Sequence, residues 1–147
     1  MDSNLHFSDV PKEWAICFQH DCPLAPSCLR YHAASLVPGD LKHHECVLPG
    51  ARSGDTCSAF VSNQPVRLAR GMKGLLGGID YGRAVAMRRQ LYEIFGSKSQ
   101  FYRYSEGRWP IGPDVQARVS DLFHQMGIAS EPQYDECFEG YNFISEA

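Results

Sequence analysis

The sequence predicts a mainly α protein in which a Cys-rich, metal-stapled N-terminal segment packs on a C-terminal three-helix bundle. Three observations carry this expectation. Five of the six cysteines precede residue 58, five of the nine prolines (Pro11, Pro23, Pro26, Pro38 and Pro49) fall in the same stretch, and helical periodicity is clearest over residues 83–127. A segment poor in periodic structure needs a staple, whereas a periodic one can bury a face of its own. The divide is therefore placed after residue 62, with a Cys-rich metal-binding segment over 1–62 and a helical region with an acidic aromatic tail over 63–147. At 147 residues, 44% of them apolar and 21% charged, the chain is neither disordered, collagen-like nor coiled-coil in composition.

In chain order, the opening Met1-Asp-Ser-Asn-Leu-His lacks the basic and apolar regions of a secretion signal, and no apolar run is long enough for a membrane span. A cytoplasmic protein with no membrane partner is expected. One short helix is placed around 24–34. Residues 63–70 alternate apolar and basic from Val66 and suit a short strand or extended arm, which Gly71, Gly74, Gly77 and Gly78 then interrupt. Ala84, Met87, Leu91 and Phe95 repeat at helical spacing up to a terminating Gly96. Ser97 and Gln100 have the form of a capping box that launches a second helix, ended by Gly107. A third helix starts on Pro113, carries Val115, Val119, Leu122, Phe123 and Met126 on one face, and stops before Gly127.

The cysteines carry the first chemical expectation. Cys17, Cys22 and Cys28 are spaced so that three thiolates can converge within one loop and the start of a helix. A closed tetrahedral site needs a fourth ligand. Cys57, after a Gly-containing turn and before Ala59-Phe60-Val61, is preferred; Cys46, His43, His44 and His32 compete with it. Zinc suits such a shell, an iron-sulfur cluster is the alternative, and buried thiols without any metal are the third reading. Neither a Gly-rich phosphate loop, a His-Glu-x-x-His sequence nor a nucleophile elbow occurs, so no enzyme is expected.

The second expectation rests on charge. Residues 66–110 carry a balance of +6 between flanks of −3 and −6. A near-neutral chain can thus present a basic surface to phosphates. The stretch from Leu91 to Gly107 resembles a helix-turn-helix of the phage-repressor type, with Phe101 and Tyr104 facing inward. That resemblance implies that Lys98, Ser99, Tyr102 and Arg103 meet DNA, with Arg88, Arg89 and Arg108 adding phosphate contacts. Two departures stand against it: a turn about one residue short of the usual pattern, and Tyr92 where a small residue normally lets the helices approach. The reading is a metal-stabilised, DNA-binding regulatory protein. Its rival is a protein-interaction module that docks a partner through the acidic tail, 131–146, and Tyr134, Phe138, Tyr141 and Phe143. An iron-sulfur redox protein is a third possibility.

Taken together, Cys17-x4-Cys22-Pro-x4-Cys28-Leu-Arg, Cys57-x2-Phe60, Ala69-Arg-Gly-Met72, the Phe-Gly…Phe-Tyr-Arg-Tyr…Gly stretch and Tyr134-Asp-Glu-Cys-Phe resemble a family of uncharacterised gut-bacterial (Bacteroides-type) proteins of unknown function. The resemblance spans nearly the whole chain. It implies an intracellular bacterial protein and supports Cys57 over Cys46 as the partner of Cys17, Cys22 and Cys28.

Overall fold

The computed structural model describes residues 5–143 and divides the chain into two compact units, Met1–Pro65 with Tyr141–Ala147, and Val66–Gly140. Residues 141–143 of the tail thus belong to the first unit, whereas the sequence reading keeps all of 63–147 together; the rest of the acidic tail, 144–146, lies outside the described residues.

The first unit is built mostly from turns and single bridges. Its helix, α1 (Leu29–Ala34), is six residues long and follows a 3-10 turn, Ala25–Ser27, that starts beside Pro26. A two-residue hairpin, β1 (Arg52–Ser53) and β2 (Thr56–Cys57), pairs Arg52 with Cys57. Gly54 takes the positive φ, +61°, that so tight a reversal requires. Isolated bridges join Ile16 to Cys46 and Cys28 to Ser62.

Burial supplies what regular structure does not. Leu5, Val10, Trp14, Ile16, Leu29, Ala33, Ala34 and Val61 form one apolar core, against which Tyr141 and Phe143 of the returning tail pack. The Phe143 ring meets Trp14 edge-on at 4.9 Å. Inside this unit lies Arg30, only 2% exposed. Its Nε donates to the Ala59 carbonyl and its Nη1 to the Ala15 carbonyl, both at 2.6 Å, and its guanidinium carbon lies 4.4 Å from the Trp14 ring centroid. One side chain thereby joins three stretches of chain, around residues 15, 30 and 59.

The second unit places three helices beside a two-stranded sheet. β3 (Val66–Arg70) pairs antiparallel with β4 (Glu136–Gly140), setting Arg67 opposite Glu139, Leu68 opposite Phe138 and Arg70 opposite Glu136. At the end of that register a Cβ on Gly140 would lie 2.9 Å from Leu68 Cδ1, so glycine leaves the room that Leu68 fills. Ala69 also exchanges backbone hydrogen bonds with Ile111, at 3.1 and 2.7 Å. Helix α2 (Tyr81–Phe95) is capped by Asp80 accepting from Arg83 N, and ends at Gly96 with φ +103°. Helix α3 (Lys98–Ser105) starts on Ser97, whose Oγ accepts from Gln100 N at 3.1 Å. Helix α4 (Pro113–Gln125) begins on its proline. Met87, Leu91, Phe95, Phe101, Val119, Leu122 and Phe123 close the core between them.

Two parts of the expected fold are corrected. The protein is of mixed α and β character, with two small antiparallel sheets among the described residues, and not mainly α. Local periodicity misses the short β1 and β2 and, more consequentially, β4: Glu-Cys-Phe-Glu-Gly has one large apolar residue, and its pairing partner lies some seventy residues earlier in the chain. Nor is a metal staple part of this fold. Among the described residues no three His, Cys, Asp or Glu side chains converge closely enough to hold a metal ion, and the first unit is organised around its apolar core and Arg30.

Candidate functional site

Cys17, Cys22, Cys28 and Cys57 line one small cavity of the first unit, about 20 Å³ in volume, together with Arg30 and Arg52. That is room for a single water-sized occupant. All four are free thiols. Cys17 N donates to the Arg30 carbonyl at 3.1 Å, Cys28 leads into α1, and Cys57 closes the hairpin. Arg52, across from Cys57, reaches back to Asp21, with 3.7 Å between Nη2 and Oδ2, and so ties the hairpin to the loop of Cys22. The thiols share a cavity, but no three of them converge closely enough to hold a metal ion.

The competing ligands lie elsewhere. Cys46, His43 and His44 line a separate surface pocket with Phe18 and Leu41, and the Cys46 thiol is directed to the His44 carbonyl at 3.7 Å. His32 lies in α1 with its ring edge-on to Tyr141 at 6.3 Å.

The residue missed from sequence is Arg30. Desolvation draws the guanidinium below its ordinary pKa, and the nearby Cys28, Cys57 and Cys17 thiols oppose that shift. The available signal was its position: Arg30 follows Leu29 in a helix whose Leu29, Ala33 and Ala34 are buried, so a charged side chain is turned into the unit.

The cationic candidates of the second unit surround α2 and α3. Arg88, Arg89, Lys98, Ser99, Tyr102, Arg103 and Arg108 are all exposed. Phe101 is buried and Tyr104 half-buried behind them, the latter 5.0 Å from the Phe95 ring centroid. Arg108 pairs with Glu106 at 3.2 Å, and Arg103 lies 5.8 Å from the Trp109 ring centroid. Arg88, Arg89 and Lys98 form no ion pair among the described residues. Val66–Gly140 holds ten basic and nine acidic residues, so this cationic face is a local feature of a nearly neutral unit. The acidic tail enters β4 opposite Arg67 and Arg70 of β3. Its four aromatics are half-buried within the chain's own units.

Among the described residues no helix is long and apolar enough to cross a membrane. A family model described as a family of unknown function, DUF6078, matches residues 1–143. Neither the curated proteins nor the solved structures contain a match, so the helix-turn-helix resemblance has no structural relative behind it.

Proposed function

Since the chain belongs to DUF6078, a family of unknown function, we propose from its own side chains that it is a DNA-binding regulatory protein of the bacterial cytoplasm, acting by binding and not by catalysis. One observation carries this reading. Lys98, Ser99, Tyr102 and Arg103 all lie on the solvent side of a short helix that Phe101 and Tyr104 anchor from behind. Such a helix can approach a nucleic acid only if propped in this way, and its outward donors are of the types that grip phosphate and base edges. Arg88 and Arg89 extend the cationic face along α2.

Each phosphate neutralised adds about 0.9 to the slope of log affinity against log salt, so three to five contacts predict a loss of roughly 40- to 500-fold between 50 and 200 mM salt. The test is retention of a random DNA duplex pool at both concentrations. Absence of salt-dependent retention contradicts the reading.

A second reading is favoured by the shared cavity: Cys17, Cys22, Cys28 and Cys57 take up one thiophilic cation, for which zinc is the first choice. The volume of the cavity favours a single ion over the alternative iron-sulfur cluster. Uptake requires the side chains to rotate inward and lose their protons, so it is coupled to a local rearrangement. Elemental analysis with a visible spectrum tests this. One zinc per chain, lost in Cys22→Ser and kept in Cys46→Ser, is expected; metal-free protein from zinc-supplemented cells contradicts it.

A further inference from the structure

The rings of α2 and α3, together with Trp109 beyond the end of α3, form a continuous series. Trp109 meets Tyr104 at 5.3 Å between centroids, Tyr104 meets Phe95 at 5.0 Å, Phe95 meets Phe101 at 5.8 Å, Phe101 meets Tyr92 at 5.4 Å, and Tyr92 meets Tyr102 at 6.2 Å. The middle of the series is core, but both ends emerge: Tyr102 is 43% and Trp109 40% exposed. Core packing accounts for Phe95 and Phe101. It does not account for two large rings left in water at either end of a buried ladder.

Each exposed end is accompanied by cations. Tyr102 lies one helical turn from Lys98, and Tyr92, whose hydroxyl meets that of Tyr102 at 3.4 Å, lies one turn from Arg88. At the other end Arg103, one turn from Ser99, lies over Trp109, and Arg108 is its chain neighbour. Partly exposed aromatic rings interleaved with guanidinium and ammonium groups match a polymer that alternates flat bases with phosphates. A duplex offers the phosphates but keeps the faces of its bases stacked against one another; only an unpaired strand offers both.

We propose that this face binds single-stranded nucleic acid, with unpaired bases stacking on Tyr102 and Trp109 and the backbone held by Arg88, Lys98 and Arg103. The inference rests on the nucleic-acid reading and narrows it to unpaired strands. The core rings hold the two exposed ones in fixed positions, so little side-chain freedom is lost on stacking. Stacking on an aromatic ring is tolerant of base identity, so the proposal requires no particular sequence.

The test uses the full chain with a labelled oligothymidine and a hairpin duplex of equal phosphate count, read by anisotropy at 50 mM salt. The strand is expected to bind tighter than the duplex and to quench the fluorescence of Trp109, the exposed one of the two tryptophans. Tyr102→Ala and Trp109→Ala should each weaken strand binding by about 5- to 150-fold with an unchanged melting curve, and Trp109→Phe should recover much of the loss. Duplex binding that equals or exceeds strand binding, unaffected by both alanine variants but weakened by Arg88→Ala, overturns the stacking proposal and leaves the cationic face standing. Binding of neither probe overturns both.

Discussion

Arg30→Met keeps an unbranched side chain out to the ε position and removes the guanidinium, which tests what the buried charge contributes to the first unit. Two carbonyls, of Ala15 and Ala59, each accept from Arg30 at 2.6 Å and would lose that donor. A buried acceptor left unsatisfied costs about 1–3 kcal/mol, and the cation–π contact with Trp14 adds about 1 kcal/mol. Against this, methionine removes the cost of keeping a guanidinium out of water, of order a few kcal/mol. The balance is a destabilisation of about 1–4 kcal/mol, because the buried Ala59 carbonyl and the part-buried Ala15 carbonyl both lose their donor. For a unit of this size that lowers the melting temperature by roughly 5–30 °C. The assay is a thermal melt followed by near-ultraviolet circular dichroism, sensitive to Trp14, in the presence of EDTA so that no bound cation contributes. Arg30→Lys should also lose most of the stability, since a single ammonium nitrogen cannot stand at the two separate positions from which Nε and Nη1 donate to Ala59 and Ala15. A melt at or above the wild-type temperature for Arg30→Met would refute the assignment of Arg30 as the organising contact of this unit.

Three other perturbations have definite expected outcomes. Tyr134 is half-buried, its hydroxyl is shut off from solvent and has no hydrogen-bond partner among the described residues, and burial pushes its pKa up to about 12. Tyr134→Phe should therefore melt at or up to a few degrees above the wild type; a loss above about 1 kcal/mol would mean that the hydroxyl has a partner. The raised value also means that the tyrosine contributes stability below about pH 10 that is lost as pH rises toward 12, a loss Tyr134→Phe should lack in alkaline melts. Hydrogen bonds from Arg83 hold the exposed Asp80 carboxyl below its ordinary pKa, so its contribution is present above about pH 4 and fades as pH falls further. Acid titration should show a smaller change in α2 helicity for Asp80→Asn than for the wild type. Finally, Gly71 has φ +81° and a Cβ there would overlap the Asp135 carboxylate, so Gly71→Ala should cost about 1–2 kcal/mol in urea unfolding, whereas a neutral result would contradict that geometry.

The helices of the second unit were legible because their signals are local. Gly96, Ser97 and Pro113 mark boundaries that the backbone uses, and the stripe Met87, Leu91, Phe95 is buried as its spacing requires. Pairing of Val66–Arg70 with Glu136–Gly140 left no comparable trace, because Glu136, Cys137 and Glu139 are exposed and only Phe138 turns inward. In the first unit the spacing of the cysteines pointed to a common location, and Cys17, Cys22, Cys28 and Cys57 do line one cavity. The role of Arg30 was hidden for a different reason: its partners are the backbone carbonyls of Ala15 and Ala59, which carry no side-chain signature. The aromatic series was hidden too, since Trp109 lies beyond the end of α3 and joins Tyr104 only through the fold.

The most direct test of the central claim, that the cationic face of α2 and α3 binds nucleic acid, is the salt dependence of binding for the wild type beside Arg88→Ala. Arg88 is exposed and forms no ion pair among the described residues, so its removal should leave the melting curve in place. The account predicts weaker binding to every nucleic acid tested and a log–log salt slope reduced by about one. Equal slopes and equal affinities for the two proteins, or no binding by the wild type at low salt, would contradict it.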